Sequence, residues 1–238
     1  MSKADKYKEY FTDKYLMGPN SVRFLAEMLE KSPINEGLCI LDLGCGKGLT
    51  SLFLARETKA QVFAADLWIG ATENYEQFKK WGIDNSVIPL HSDANDLPFA
   101  DEFFDVIVSI DSFHYFANQK GFFEEKILPL VKNGGKVIIA MPGLKKEIHG
   151  CDPDLILEWI HGEESESDFF HSREWWRSVL KENQDFTIVD EFDLDSFDIA
   201  WQDWFDSNHP YAVRDAEFFK KGVSEYLSSI GFVIEKSR

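Results

Sequence analysis

Between Leu38 and Ala55 the chain reads LCILDLGCGKGLTSLFLA: an apolar run closes on an acid, glycine takes three of the next positions, and an amphipathic stretch follows. That order suits a buried strand turning tightly into a helix. Gly44, Gly46 and Gly48 let the backbone turn where a side chain would resist, and let a ligand approach main-chain N–H groups that a β-carbon would block. The rest of the first half repeats the alternation. QVFAAD, SVIPLHSD, FFDVIVSID and GGKVIIAMP read as further strands, and NSVRFLAEMLEK, TENYEQFKKWG and GFFEEKILPLV as helices, with Asn20 as an N-cap and Gly82 as a C-cap. Strands separated by helices of this length pair in parallel through right-handed crossovers. The expected product is an α/β, doubly wound, seven-stranded, mostly parallel sheet, and such sheets bind ligands beyond the carboxyl ends of their strands.

Composition narrows the partners. The chain has 238 residues, 44% hydrophobic and 15% aromatic, enough to bury one substantial core. Its 25 Lys+Arg against 42 Asp+Glu give a formal net charge of −17, a field that repels nucleic acid and anionic membrane surfaces. The cysteines at 39, 45 and 151 form no disulfide framework or zinc pattern, so no metal site is expected. The polar start MSKADKYKEYFTDKY and the absence of a long apolar run fit a cytoplasmic protein with no membrane span. The assembly expected is a monomer or homodimer.

Spacing then separates ligand classes. A dinucleotide GxGxxG starting at Gly44 requires Gly or Ala at position 49, which is Leu49, and no GxxxxGK[ST] phosphate loop occurs. What remains, LDLGCGKG, is acid-x-Gly-x-Gly-x-Gly. It resembles motif I of class I S-adenosylmethionine-dependent methyltransferases, a Rossmann-like fold, and the likeness extends over about residues 37–141 in the family's order.

The resemblance implies S-adenosylmethionine as cofactor and S-adenosylhomocysteine as product. It puts Asp42, Gly44, Cys45, Gly46 and Gly48 under the methionine end. Asp66, at the end of the second strand, is implied as the acceptor for ribose hydroxyls, a role suited to an acceptor-only carboxylate. Leu67, with Trp68, would lie along the adenine. Asp93 and Ala94 would meet the adenine amino group and a ring nitrogen, and Ile110 closes the fourth strand beside them. Methyl transfer from a sulfonium needs alignment and exclusion of water more than elaborate catalysis. Asp111, His114 and Tyr115 follow the fourth strand, and His114 is the general-base candidate from its ordinary pKa near 6.5. No Asn-Pro-Pro-Tyr-like tetrad is present there to hold a planar amide or base nitrogen.

The outer segments carry the substrate side. Residues 1–36 form an N-terminal helical cap, 37–142 the cofactor core and 143–238 the substrate half, with a helical insertion at about 197–226 before the last strand. HSREWWRSVLKE is a helix begun near Ser172, FTIVDEFDL a sixth strand, and the seventh lies within SSIGFVIEKS. Trp201 and Trp204 share a helix face, and Asn208-His209-Pro210-Tyr211 is a break before a second helix. Trp201, Trp204, His209, Tyr211, Tyr15, His114 and Tyr115 are the substrate-binding candidates, while Tyr10 and Met17 are weaker ones for closing over the cofactor. The expected activity is methyl transfer to a small-molecule O, N or C nucleophile. The alternatives are an RNA or protein methyltransferase, or a non-catalytic S-adenosylmethionine-binding module. Cys151 is the one cysteine placed to be mobile.

Overall fold

A computed structural model describes residues 2–148, 154–160 and 169–238. Cys151 lies outside them. Strands β1 (Cys39–Leu43), β2 (Gln61–Asp66), β3 (Val87–His91), β4 (Phe104–Ile110), β5 (Val131–Leu144), β6 (Phe186–Asp193) and β7 (Leu227–Lys236) make one seven-stranded sheet. Their spatial order is β3-β2-β1-β4-β5-β7-β6, with β7 antiparallel to both neighbours and the remaining pairs parallel. The order reverses between β1 and β4, so their following loops diverge and leave a crevice above the carboxyl ends.

Both faces of the sheet are covered, which is why its strands read as continuous apolar runs. Ile40, Val62, Val108 and Ile138 pack on one side beneath helices α1 (Ser21–Lys31), α2 (Leu49–Thr58) and α3 (Ala71–Trp81). Leu41, Ile107, Ile139 and Phe232 face the other, against Phe123, Phe186 and Trp176. Trp176 comes from α5 (Arg173–Val179), which Ser172 caps by accepting from the Trp175 N–H. These two tryptophans therefore serve packing on the far face.

The helix expected over GFFEEKILPLV is replaced by a wide π-type turn at Phe123–Ile127 and a 3-10 turn at Leu128–Leu130. Pro129 has no N–H to extend an α-helical ladder, so the segment tightens before entering β5.

A short helix α4 (Asp154–Ile160) precedes α5, and the insertion forms α6 (Phe197–Asp206) and α7 (Pro210–Lys220). The N-terminal 3-10 segment Lys3–Tyr10, α1 and α6 are tied by charge. The buried Arg23 guanidinium meets Asp5 at 2.7 Å and Asp203 at 2.7 Å, and Asn20 donates to the same Asp203 while capping α1 through the Val22 N–H. Glu27 of α1 accepts from the backbone N–H groups of Asp195 and Ser196 at the start of α6. The cap and the insertion are thereby seated on one helix, over the crevice.

Candidate functional site

The acid of the opening motif faces away from the crevice. Asp42 is buried, and its Oδ2 accepts from Thr50 Oγ1 at 2.7 Å and Ser51 Oγ at 2.6 Å, binding the end of β1 to the first turn of α2. Burial pushes its carboxyl up to about 6 against the opposing pull of those two hydroxyls. Asp42 is therefore a support under the loop and does not line the cavity above it.

The glycines divide the same way. Gly48 has φ +82, and a β-carbon there would lie 2.3 Å from the Phe78 ring. Gly44, with φ +75, would meet Ser112 at 2.3 Å. Gly46 differs, since the one atom near its missing β-carbon is the flexible Met17 Sδ, at 3.0 Å. Gly46 and Gly44 line the cavity, together with Cys45; Gly48 is packed behind it. The loop is held from two sides, because the Gly46 N–H donates to Asp66 Oδ2 at 2.8 Å and Asn74 Nδ2 donates to the Gly46 carbonyl at 2.9 Å.

Asp66 closes β2 and accepts on its other oxygen from the N–H groups of Trp68 and Ile69, each at 2.8 Å. One carboxylate thus shapes both loops that border the cavity. The cavity holds about 610 Å³ and brings together Asp66, Leu67, Trp68, Asp93, Ala94 and Ile110 with the glycine loop. Asp93 is drawn into a local turn by the Asn95 N–H and side-chain amide, at 2.8 Å each, and those bonds hold its carboxyl below the usual range. Tyr15 and Met17 of the N-terminal segment line this same cavity. Tyr15 stands here, outside the aromatic chamber described next, and Tyr10 stays behind it against Trp81 at 5.5 Å.

A second chamber of about 420 Å³ adjoins the first. Met17, Gly18, Lys47, Trp68, Asp111 and Tyr115 border both. Across that border the Trp68 and Tyr115 rings meet edge-on at 5.1 Å. The chamber gathers the insertion's Trp201, Trp204, His209 and Tyr211 with His114, residues named above as substrate-binding candidates. It also takes Trp159 from α4, Phe170, and Arg214 and Asp215 from α7. Asp215 accepts from the indole N–H of both Trp159 and Trp204 at 3.0 Å, fixing two walls at once. His209 caps α7 and stacks on Trp204 at 5.0 Å. No sequence signal marked Trp159, Arg214 or Asp215 for this site, since their meeting depends on how α4 and α7 dock.

His114 is fully buried beside Tyr115 and Phe170, its Nδ1 without a partner among the described residues, and burial drives its pKa down to about 3. The imidazole is neutral at working pH and a weak base, and it serves as a wall of the chamber. Its linkage has a definite sign. Below pH 6.5 the unfolded chain takes up a proton that the folded state refuses until about 3, so stability falls as pH drops through that window. A His114→Phe variant lacks this loss. Relative to wild type it should gain about 2 kcal/mol between pH 7.5 and pH 5, or roughly 4 to 8 °C in Tm, in thermal melts. An offset equal at both pH values would refute neutral burial.

Asp111 is the residue that the sequence underweighted. It adopts φ +58, a conformation uncommon outside glycine, and its carboxyl is pushed up to about 8 by burial. Among the described residues no three or more His, Cys, Asp or Glu side chains assemble as a metal centre, and no helix is long and apolar enough to cross a membrane.

Residues 41–139 match the family model described as a methyltransferase domain. Methyltransferase GfsG of Streptomyces halstedii is 30% identical over 55% of this chain and 51% of its own length. The glycine/sarcosine/dimethylglycine N-methyltransferase of Actinopolyspora halophila is 27% identical over 77% of this chain and 32% of its own. The chain thus spans about half or less of these relatives. Among solved structures, a geranyl diphosphate methyltransferase in complex with SAM superposes with a TM-score of 0.72 at 15% identity, covering 91% of this chain and 85% of that one.

Proposed function

We propose that this chain, whose residues 41–139 match the methyltransferase-domain family model, carries out S-adenosylmethionine-dependent methyl transfer to a small-molecule O, N or C nucleophile. The observation that carries this reading is the pair of adjoining cavities with a shared border at Asp111 and Tyr115. The larger one fits the cofactor. Gly46 leaves room that a side chain would take from a ligand, and Asp66, Asp93 and the Ala94 backbone stand along the wall where a nucleoside needs acceptors and donors. When bound, S-adenosylmethionine supplies an activated methyl group. The chain's part is to seat Gly44, Cys45 and Gly46 beneath the methionine end, to hold ribose at Asp66 and adenine at Asp93 and Ala94, and to keep water out.

The acceptor binds in the aromatic chamber between Trp201, Trp204, His209 and Tyr211, with Tyr115 at the border. Supporting a small acceptor over RNA are the net charge of −17 and the enclosing insertion. We place the protein in the cytoplasm, where the free thiols of Cys39 and Cys45 stay reduced, as a monomer or homodimer.

Calorimetric titration with S-adenosylmethionine and S-adenosylhomocysteine, with NADH as control, tests the reading. Micromolar binding of the first two and none of NADH is expected. Absence of binding would remove the cofactor assignment, while binding without methyl transfer to any acceptor would favour the non-catalytic module.

A further inference from the structure

The aromatic chamber contains a carboxyl and a guanidinium that the protein leaves without an ionic partner among the described residues. Asp111 projects from the end of β4 at the border of the two cavities, and among the described residues its carboxylate has no hydrogen-bonded or ionic partner. Its left-handed φ of +58 holds it against Gly18, where a β-carbon would come within 2.8 Å of Asp111 Oδ2. Strain of this kind persists where the surroundings over-determine it, and it clusters at ligand sites.

Arg214 stands on α7 and lines the chamber without bordering the cofactor cavity. It donates to the Trp159 carbonyl at 3.0 Å and lies 5.4 Å over the Phe218 ring, with no carboxylate in ion-pair range among the described residues. The adjacent Asp215 is already engaged by two indoles. Trp201 adds a buried Nε1 that has no acceptor among the described residues.

We infer that the acceptor is a small amine that also carries an anionic group, with its nitrogen held by Asp111 at the border and its anion by Arg214 farther along the chamber. The inference rests on the two-cavity reading and names its substrate class. Position sets the polarity. The group at Asp111 is the one that meets the cofactor side, so the nitrogen is the methyl acceptor. Aromatic faces around it suit an ammonium, which binds over rings as well as to a carboxylate. A neutral alcohol leaves the Arg214 guanidinium unanswered and brings no cation to Asp111, and a purely anionic ligand answers Arg214 alone.

A proton follows from this arrangement. The other titratable or charged groups of the chamber are His114 and Tyr115 on Asp111's own turn, Lys47 from the glycine loop, and His209, Arg214 and Asp215 from the α6–α7 pair, with the Tyr211 phenol. None forms an ion pair with Asp111 among the described residues. An arriving ammonium therefore ionises a partly buried carboxyl that was largely neutral, and a proton goes to solvent. The carboxylate can then take a proton from the ammonium: the N–H bond breaks, its electron pair stays on nitrogen as the nucleophile, and the new O–H is on Asp111.

The test is calorimetry on the full chain at pH 7, with and without saturating S-adenosylhomocysteine, in phosphate and in Tris. The probes are glycine, sarcosine and phosphoethanolamine as zwitterions, isopropylamine as amine alone, and glycolate as anion alone. Zwitterions should bind at least tenfold more tightly than either half, with a buffer-dependent heat showing proton release. Carboxylate and phosphate arms tell which anion Arg214 takes. Asp111→Asn, a residue that tolerates positive φ, should abolish the proton release and weaken zwitterions about tenfold, while Arg214→Gln should weaken zwitterions and leave isopropylamine unchanged. Equal affinity for glycolate and glycine, or proton release surviving in Asp111→Asn, overturns the inference. If S-adenosylhomocysteine binds and no amine does, the substrate class falls and the cofactor reading stands; the reverse result sinks the cofactor reading instead.

Discussion

Gly48→Ala should lower stability by about 3 kcal/mol, a fall in Tm of roughly 6 to 12 °C for a chain of this size. Two costs combine. An alanine at φ +82 must occupy the left-handed region, and its β-carbon would fall 2.3 Å from the Phe78 ring, which is fully buried and cannot step aside. Gly46→Ala provides the contrast. Its φ is +53, but the atom in its way is Met17 Sδ, the far end of a flexible side chain on the cavity wall. This variant should fold with a smaller loss of Tm and bind S-adenosylhomocysteine at least tenfold more weakly. Melts and titrations of the two proteins decide the matter. Should Gly48→Ala melt as the wild type does, or should both variants lose stability and affinity in parallel, the division of the loop into packed and ligand-facing glycines is wrong.

Asp66→Ala should weaken S-adenosylmethionine binding by about 1.5 to 3 kcal/mol, about 10- to 150-fold in Kd, through loss of charge-assisted hydrogen bonds to the ribose. The structure adds a second consequence. The same carboxylate accepts from the N–H groups of Gly46, Trp68 and Ile69, so its removal frees both loops that border the cavity. Asp66→Asn separates the two roles, because its remaining carbonyl oxygen still accepts from one loop while the charge is gone. Affinity should decrease in both variants, and Tm more in Asp66→Ala than in Asp66→Asn. A folded Asp66→Ala protein with unchanged calorimetric affinity would show that the ribose is held elsewhere.

The order of strands and helices was legible because each strand is a short apolar run and each core helix repeats its apolar residues at helical spacing. Asn20, Gly82 and Ser172 announced their caps through side-chain or backbone chemistry that acts within a few residues. The segment after β4 misled because its apolar spacing is helical, whereas Pro129 interrupts the ladder there. Gly44, Gly46 and Gly48 were correctly marked as positions that cannot bear side chains, yet the reason differs among them. Ser112 lies 68 residues after Gly44 and Phe78 lies 30 after Gly48, and no local pattern reports such neighbours. Asp42 shows the same gap. Its place beside the glycines identified the motif, but its direction, down toward Thr50 and Ser51, became visible only with α2 in place.

The sequence by itself determined the doubly wound sheet, the crevice at the end of β1 and many of the residues that line the larger cavity there, because those follow from periodicity and from contacts close along the chain. Only the tertiary structure completed the second chamber, whose aromatic residues the sequence had named without their polar partners. Asp111, Trp159, Arg214 and Asp215 come from β4, α4 and α7, and they converge because Arg23, Glu27 and Asn20 seat the insertion on α1 and because one carboxylate at Asp215 binds two indoles. Burial then changes what those groups are: it neutralises His114 and raises Asp111, and burial belongs to the packed molecule and not to any stretch of its chain.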